Sequence, residues 1–93
     1  MKRLLLPSKA FLRSAKRLAQ KNPSASEDIR ITLHLLAEDA FDQRLRTHKL
    51  KGDLAGSWSC SAGYDLRIVF EFVQHNGKEA ILLERVGTHD EVY

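Results

Sequence analysis

Apolar residues in the first part of the chain recur with the spacing of an α-helix. The first apolar stripe follows the pattern i, i+4, i+7 and i+8 and comprises Phe11, Ala15, Leu18 and Ala19. Ser8 can cap the start of this segment, so we predict a helix that runs from there to about Lys21. The preceding residues, KRLLL at 2–6, predict a short strand that Pro7 ends.

A second helical pattern follows the Asn22-Pro23 break. Ser24 and Glu27 have the S-x-x-E spacing of a capping box, in which each side chain satisfies a backbone N–H at the start of a helix. The predicted core face of this helix comprises Ile29, Leu33, Leu36, Ala37 and Ala40. Two helices joined by a tight turn are typical of an αα-hairpin.

After residue 47 the helical spacing gives way to glycines and to the alternation of β-strands. The segment SWSCS at 57–61 predicts a short strand with Trp58 and Cys60 on one face. The segments LRIVFEFV and EAILLERV, with the turn QHNG between them, predict a β-hairpin. On the first hairpin strand, the face expected to meet the helices comprises Leu66, Ile68, Phe70 and Phe72.

The order strand, two helices, three strands and a tail indicates an α+β fold. In this fold, the N-terminal strand and the αα-hairpin pack on a mostly antiparallel sheet. The length suits one domain over residues 1–93. No segment approaches the roughly 20 apolar residues that span a bilayer, so we expect no membrane association. The single cysteine, Cys60, excludes an internal disulfide and fits a reducing cytoplasm.

Positive charge is concentrated at the N-terminus, although the net charge is only +3. Every charged residue up to Lys21 is a cation, and the first acid is Glu27. This asymmetry suggests a polyanion or an acidic protein as partner, whereas a charged helix face is more often simply solvated.

Two histidines with cations nearby are the candidates for chemistry. His48 is followed by Lys49 and Lys51, and His89 lies a few residues before Tyr93. Histidine exchanges protons near neutral pH, and such a set can cleave RNA. One group removes the proton of the 2′-OH, a second protonates the leaving 5′-oxygen, and a cation offsets charge on the phosphorane. This chemistry requires no metal ion.

Simpler interpretations of the same residues stay open. A histidine in a loop is most often an exposed polar residue, and Asp65 can cap a turn. Arginines on strands, such as Arg67 and Arg85, commonly pair with carboxylates. The sequence has no zinc-binding H-x3-H or C-x2-C spacing and no G-x-S-x-G motif, which disfavours a metal centre and a serine hydrolase.

Three segments in order join these signals into a family pattern. They are HKLKG, SAGYDLRIVFEF and ILLERVGTHDEVY, and a strand and a basic helical hairpin precede them. This arrangement resembles the RelE/ParE superfamily of bacterial toxins, and most closely its YafQ-like messenger-RNA endonucleases, over essentially the whole chain. The resemblance implies a RelE-like, microbial-ribonuclease-type fold and a metal-independent endoribonuclease without cofactor. It also implies a toxin of a type II toxin–antitoxin system.

The resemblance assigns site residues by position. The implied catalytic residues are His48, Asp65, Arg67, His89 and Tyr93. Three cations are further candidates for contacts to RNA, namely Lys49, Lys51 and Arg85. This chain departs from YafQ-like proteins in two places, because Ser61 stands where they have a histidine and Leu66 where they have a tryptophan. The division of acid and base roles is therefore open.

The resemblance also implies partners. Relatives pair with an antitoxin whose acidic segment wraps the toxin, and the ribonuclease branch typically cuts messenger RNA in the ribosomal A site. We therefore expect a hetero-oligomer with an acidic antitoxin, and messenger RNA and the ribosome as targets. Two alternatives stay open: a non-enzymatic, ParE-like inhibitor of DNA gyrase, and an inactive relative that only binds an antitoxin. The histidines and the terminal tyrosine favour the endonuclease, because a binding module needs no proton-transfer groups.

Overall fold

The N-terminal strand leads directly into the helical hairpin in the computed structural model of the protein, which describes residues 2–93. Strand β1 spans Leu4–Pro7, helix α1 spans Lys9–Lys21 and helix α2 spans Pro23–Glu38. Ser8 caps α1 as predicted, since its Oγ accepts a hydrogen bond of 3.0 Å from the Phe11 N–H. The predicted αα-hairpin is therefore present.

The start of α2 differs from the prediction. Asn22, not Ser24, is the N-cap, and its Oδ1 accepts a hydrogen bond of 3.0 Å from the Ser24 N–H. Pro23 then takes the first helical position, where its missing N–H leaves no hydrogen bond unmade. Glu27 pairs with Arg30 one turn along instead of reaching back to the backbone. The capping-box assignment was wrong because Asn22-Pro23 supplies a complete cap two residues earlier.

Five strands form one mixed sheet with the spatial order β1-β5-β4-β3-β2. Strand β2 spans His48–Lys49, β3 spans Trp58–Ala62, β4 spans Leu66–His75 and β5 spans Lys78–Thr88. Strand β1 pairs with β5 in parallel, and the other neighbouring pairs are antiparallel. The predicted α+β fold is confirmed, with a mostly antiparallel sheet, and the turn at QHNG connects β4 to β5 as expected.

The hydrophobic core lies between the helical hairpin and one face of the sheet. Most of the predicted core positions are buried. Five others are partly buried and pack against the same cluster, namely Ala15, Leu18, Leu33, Trp58 and Phe72. Cys60 is completely buried among them, and desolvation raises the pKa of its thiol to about 12. Cys60 is therefore a small core side chain, as expected from its strand position.

The pairing of β4 with β5 contains a β-bulge. Val69 is opposite Arg85, but Phe70 is opposite Leu83, so Glu84 is an extra residue on β5. The backbone carbonyl of Glu84 accepts a hydrogen bond of 3.0 Å from Ser8 Oγ, and its carboxylate accepts one of 2.7 Å from Ser57 Oγ. The bulge is thus tied to the start of α1 and to the start of β3.

The predicted tail forms a short helix, α3, over His89–Val92. It contacts β4 and β5, and the hydrogen bond between Tyr93 and Ser59 places it on the face of the sheet opposite α1 and α2, which we call the outer face. Val69 of β4 and Val92 of α3 are almost fully buried there. Four residues are too few to show helical periodicity, so the sequence pattern did not predict this helix. In the described part of the chain, no helix is long and apolar enough to cross a membrane.

The turn between β3 and β4 contains a glycine whose replacement should lower the stability of the protein. Gly63 has a φ of +68°, and a Cβ added there would clash with a carboxylate oxygen of Asp28. Gly52 has nearly the same φ, +67°, but nothing lies within 4 Å of an added Cβ. We expect Gly52→Ala to cost about 1–2 kcal/mol for the left-handed backbone alone. Gly63→Ala should cost more, because the steric clash adds to it.

Urea unfolding of the two variants measures this difference. The additional cost of Gly63→Ala should shrink in the Asp28→Ala background, whereas the cost of Gly52→Ala should not change there. Equal costs for both glycine variants in the parent background would contradict the predicted contact between α2 and this turn.

Candidate active site

Helix α3 is held on the sheet by contacts at both of its ends. At its start, the Thr88 N–H donates a hydrogen bond of 2.8 Å to Glu91 Oε1, and the other carboxylate oxygen lies 3.2 Å from Arg17 Nη1 of α1. The Thr88 bond, and then Arg17, lower the pKa of Glu91. The capping box is therefore complete at neutral pH and weakens as acidification protonates Glu91.

At the end of α3, the terminal residue reaches the sheet. The hydroxyl of Tyr93 shares a hydrogen bond with Ser59 Oγ of β3. Ser59 is completely buried, so its hydroxyl needs this partner. The ring of Tyr93 also contacts the imidazole of His89 edge to face, with ring centroids 4.6 Å apart. Both predicted terminal site residues are thus fixed relative to β3.

The register of the sheet places His48 beside the same serine. His48 is directly opposite Ser59 across the β2–β3 pair, and Ser59 is opposite Val69 on β4. Residues directly opposite each other in antiparallel strands point to the same face. His48 therefore shares the outer face with Ser59, which hydrogen bonding and ring contact link to Tyr93 and His89. We call these four residues the histidine group.

The tautomer of His48 follows from its hydrogen bond. Nδ1 of His48 lies 3.0 Å from the backbone carbonyl oxygen of Arg46. A carbonyl oxygen can only accept a hydrogen bond, so Nδ1 carries the proton. In the neutral imidazole, Nε2 then has a free lone pair, and this exposed side chain can act as a base.

Arg67 lies in the next row of the outer face. It is opposite Ser61 of β3 and Gly87 of β5, and its Nη1 donates a hydrogen bond of 2.8 Å to the Leu66 carbonyl oxygen. Arg67 and Ser61 also line a cleft of about 530 Å³. The remaining lining residues of this arginine cleft are Arg44, Arg46, Gly63 and Tyr64. Arg67 thus lines the cleft and lies one row from the histidine group.

The other predicted site residues lie outside the histidine group. Asp65 is exposed in the turn before β4, and within residues 2–93 its side chain has no hydrogen bond to the histidines or to Arg67. Lys49 points to the opposite face of the sheet, where its Nζ lies 5.4 Å from the centre of the Trp58 ring. Lys51 is exposed in the loop after β2. Arg85 is exposed on the outer face, opposite Val69.

Sequence reasoning missed several residues of this surface. Ser59 could have been found, because the alternation that puts Trp58 and Cys60 in the core puts Ser59 on the outer face. Arg44 and Arg46 gave no such signal, since they lie in and just after a 3₁₀ turn at Gln43–Leu45. Over residues 2–93, no three His, Cys, Asp or Glu side chains converge as a metal site would require.

A comparison with protein families shows which family the chain belongs to. Residues 3–93 match the model of YafQ, described as a bacterial toxin of a type II toxin–antitoxin system. The chain belongs to this family. The expected membership of the YafQ-like branch of the RelE/ParE superfamily is confirmed, whereas no curated protein matches the sequence.

Solved structures support the fold. YafQ from E. coli strain BL21(DE3) is 19% identical, with a TM-score of 0.78 over 99% of each chain. A YoeB/ParE toxin from Agrobacterium tumefaciens is 17% identical, with a TM-score of 0.77 over 92% of this chain and 98% of that one. The E. coli DinJ-YafQ toxin–antitoxin complex matches with 20% identity and a TM-score of 0.76, covering 100% of this chain and 99% of that one. At these identities, the likeness shows the fold.

The hydrogen bond between Ser59 and Tyr93 can be tested by its effect on stability. We expect Tyr93→Phe and Ser59→Ala each to cost about 1 kcal/mol, and the two costs to be coupled by about 0.5–1.5 kcal/mol in the double variant. The matched control is Tyr64→Phe, because that side chain is 97% exposed and should change stability by less than about 0.5 kcal/mol. Urea unfolding of the variants measures these energies, and strictly additive costs would contradict the interaction.

Proposed function

We propose that this toxin is an endoribonuclease that cleaves messenger RNA. The observation that carries the proposal is the histidine group on the outer face, in which His48 is opposite Ser59 across the sheet and His89 contacts Tyr93, the hydrogen-bond partner of that serine. Arg67 lies one row away on the same face. Two proton-transfer groups and a cation on an open surface meet the requirements for cleavage by the 2′-OH of RNA.

In the proposed reaction, His48 is the general base. Its Nε2 removes the proton of the 2′-OH, whose oxygen attacks the adjacent phosphorus and forms a 2′,3′-cyclic phosphate. His89, in contact with the Tyr93 ring, protonates the 5′-oxygen that leaves. Arg67 donates hydrogen bonds to the phosphorane oxygens as negative charge develops there. Asp65, the remaining residue assigned by resemblance, stays a prediction.

The proposed reaction needs no metal ion and no cofactor. Its nucleophile is part of the substrate, and its proton transfers and charge stabilisation are assigned to side chains of this chain. We therefore expect cleavage to continue in the presence of EDTA.

We propose an acidic antitoxin as the protein partner. YafQ of E. coli is found in a complex with DinJ. In this chain, exposed cations follow one another along α1, namely Lys9, Arg13, Lys16 and Lys21. An acidic segment would complement this surface and associate rapidly with it. We place the activity in the cytoplasm, on messenger RNA in the ribosomal A site, and propose Lys51 and Arg85 as exposed contacts to RNA phosphates.

The proposed function predicts a large effect of His89→Ala on RNA cleavage. Loss of a general acid should lower the cleavage rate by about 10²–10⁴-fold while the fold is retained. His75→Ala is the matched control, because His75 is an exposed histidine at the end of β4, next to the hairpin turn. Primer extension on messenger RNA, with and without ribosomes, measures the cleavage, and circular dichroism checks the fold.

Two outcomes would contradict the proposal. If His89→Ala cleaves RNA as fast as the parent, His89 is not the general acid. Purified protein that blocks DNA supercoiling by gyrase and leaves RNA intact would instead favour a ParE-like inhibitor. The chemistry has its own check, because a substrate with 2′-deoxyribose at the cleaved position should be resistant.

A further inference from the structure

The arginine cleft brings together residues from three separate parts of the chain. Arg44 and Arg46 come from the 3₁₀ turn and the residue that follows it, Ser61 from β3 and Arg67 from β4. Tyr64 lies in the turn at the edge of the cleft and is 97% exposed. The volume of about 530 Å³ is large enough for a nucleotide unit and far exceeds that of a single carboxylate.

Positive charge in this cleft is only partly compensated. The guanidinium of Arg44 binds Asp42 through two hydrogen bonds of 3.0 and 2.8 Å, which lower the pKa of Asp42 to about 2. Within residues 2–93, no carboxylate oxygen lies within 4.0 Å of the guanidinium nitrogens of Arg46 or Arg67. Asp28, close to the turn at Gly63, and Asp65, which follows Tyr64, are further acids near the cleft. The guanidinium groups of Arg46 and Arg67, which have no carboxylate partner in the described residues, are therefore available to a ligand.

The backbone at Arg46 links the cleft to the proposed general base. Arg46 has a φ of +53°, a left-handed conformation that costs a non-glycine residue about 1–2 kcal/mol. In this conformation its carbonyl accepts the hydrogen bond from His48, while its side chain lines the cleft. A ligand held by this guanidinium would thus be positioned relative to the imidazole.

We propose that the arginine cleft binds a phosphate of the RNA backbone next to the one that is cleaved, with the flanking base stacked on Tyr64. A phosphate offers oxygens in several directions, so it can accept hydrogen bonds from arginines on different sides, whereas one arginine fork already satisfies a planar carboxylate. Aromatic rings stack on bases of single-stranded RNA irrespective of sequence. Arg67, which lines the cleft and lies one row from His48 and Ser59, would contact both phosphates. This inference rests on the proposed function.

The test measures binding of a short single-stranded RNA in which every 2′-OH is methylated, so that cleavage cannot occur. Fluorescence anisotropy over a range of salt concentrations gives the affinity and the slope of log K against log[salt]. We expect Arg46→Gln to weaken binding about tenfold and to reduce the slope by about 0.7, the value for one phosphate contact of a single strand. Arg30→Gln is the matched control, because this exposed arginine of α2 lies outside the cleft and outside the basic surface of α1, and it should leave the slope unchanged.

The proposed stacking of a base on Tyr64 is tested separately by its effect on the affinity for RNA. Tyr64→Ala should weaken binding of the same RNA about tenfold, whereas Tyr64→Phe, which keeps the ring, should bind like the parent. Parent-like affinity and salt slope in both Arg46→Gln and Arg44→Gln would overturn the proposal. Loss of affinity for an acidic antitoxin with unchanged RNA binding would also overturn it, because the cleft would then be a protein site.

Failure of the proposed function would look different. If the parent protein cleaves no RNA but still binds the methylated RNA in an Arg46-dependent manner, the phosphate subsite stands and the endonuclease assignment falls. If the parent cleaves RNA and the cleft variants bind and cleave like it, the subsite falls and the endonuclease assignment stands.

Discussion

The bulge at Glu84 determines which side chains of the last strand reach the candidate site. Side chains alternate between the two faces of a strand, so an extra residue reverses the alternation from that point on. Leu83 points into the core before the bulge and Val86 does so after it, which leaves Arg85 on the outer face. Without the extra residue, a charged arginine would face the core, at a high cost in desolvation. The bulge also carries Gly87 to the row of Arg67, directly before α3.

Much of the architecture could be predicted because its signals are local. Ser8 and the apolar stripe define α1, and the alternation along β4 identifies its buried face. The Asn22 cap was overlooked because two candidate caps lie within three residues, and Pro23 at the first helical position favours the earlier one. The bulge leaves a trace in the sequence, since Leu83 and Val86 break the period of two, but such a break alone does not identify the extra residue. Strand β2 and helix α3 are too short to show any period.

The residues of the candidate site likewise fall into those that the sequence indicated and those that only the tertiary structure brings together. Resemblance by position supplied His48, Arg67 and His89, whose residue types suit proton transfer and phosphate binding. No sequence signal predicted the arginine cleft, because the left-handed backbone at Arg46 and the pairing of β3 with β4 bring its residues together. Neither feature has a periodic pattern. Tertiary structure, and not local sequence, therefore determines which of the many cations in this chain share one surface.

Stability and the candidate site depend on the same contacts on the outer face. Val92 and Val69 bury apolar surface under α3, and the hydroxyls of Tyr93 and Ser59 satisfy each other in the buried space beside them. The same tyrosine contacts His89. A loss of this anchor would release the proposed acid without disturbing the core between the helices and the sheet, since that core lies on the other face. The contacts of α3 therefore position the site and add to stability, whereas the main core on the other face does not depend on them.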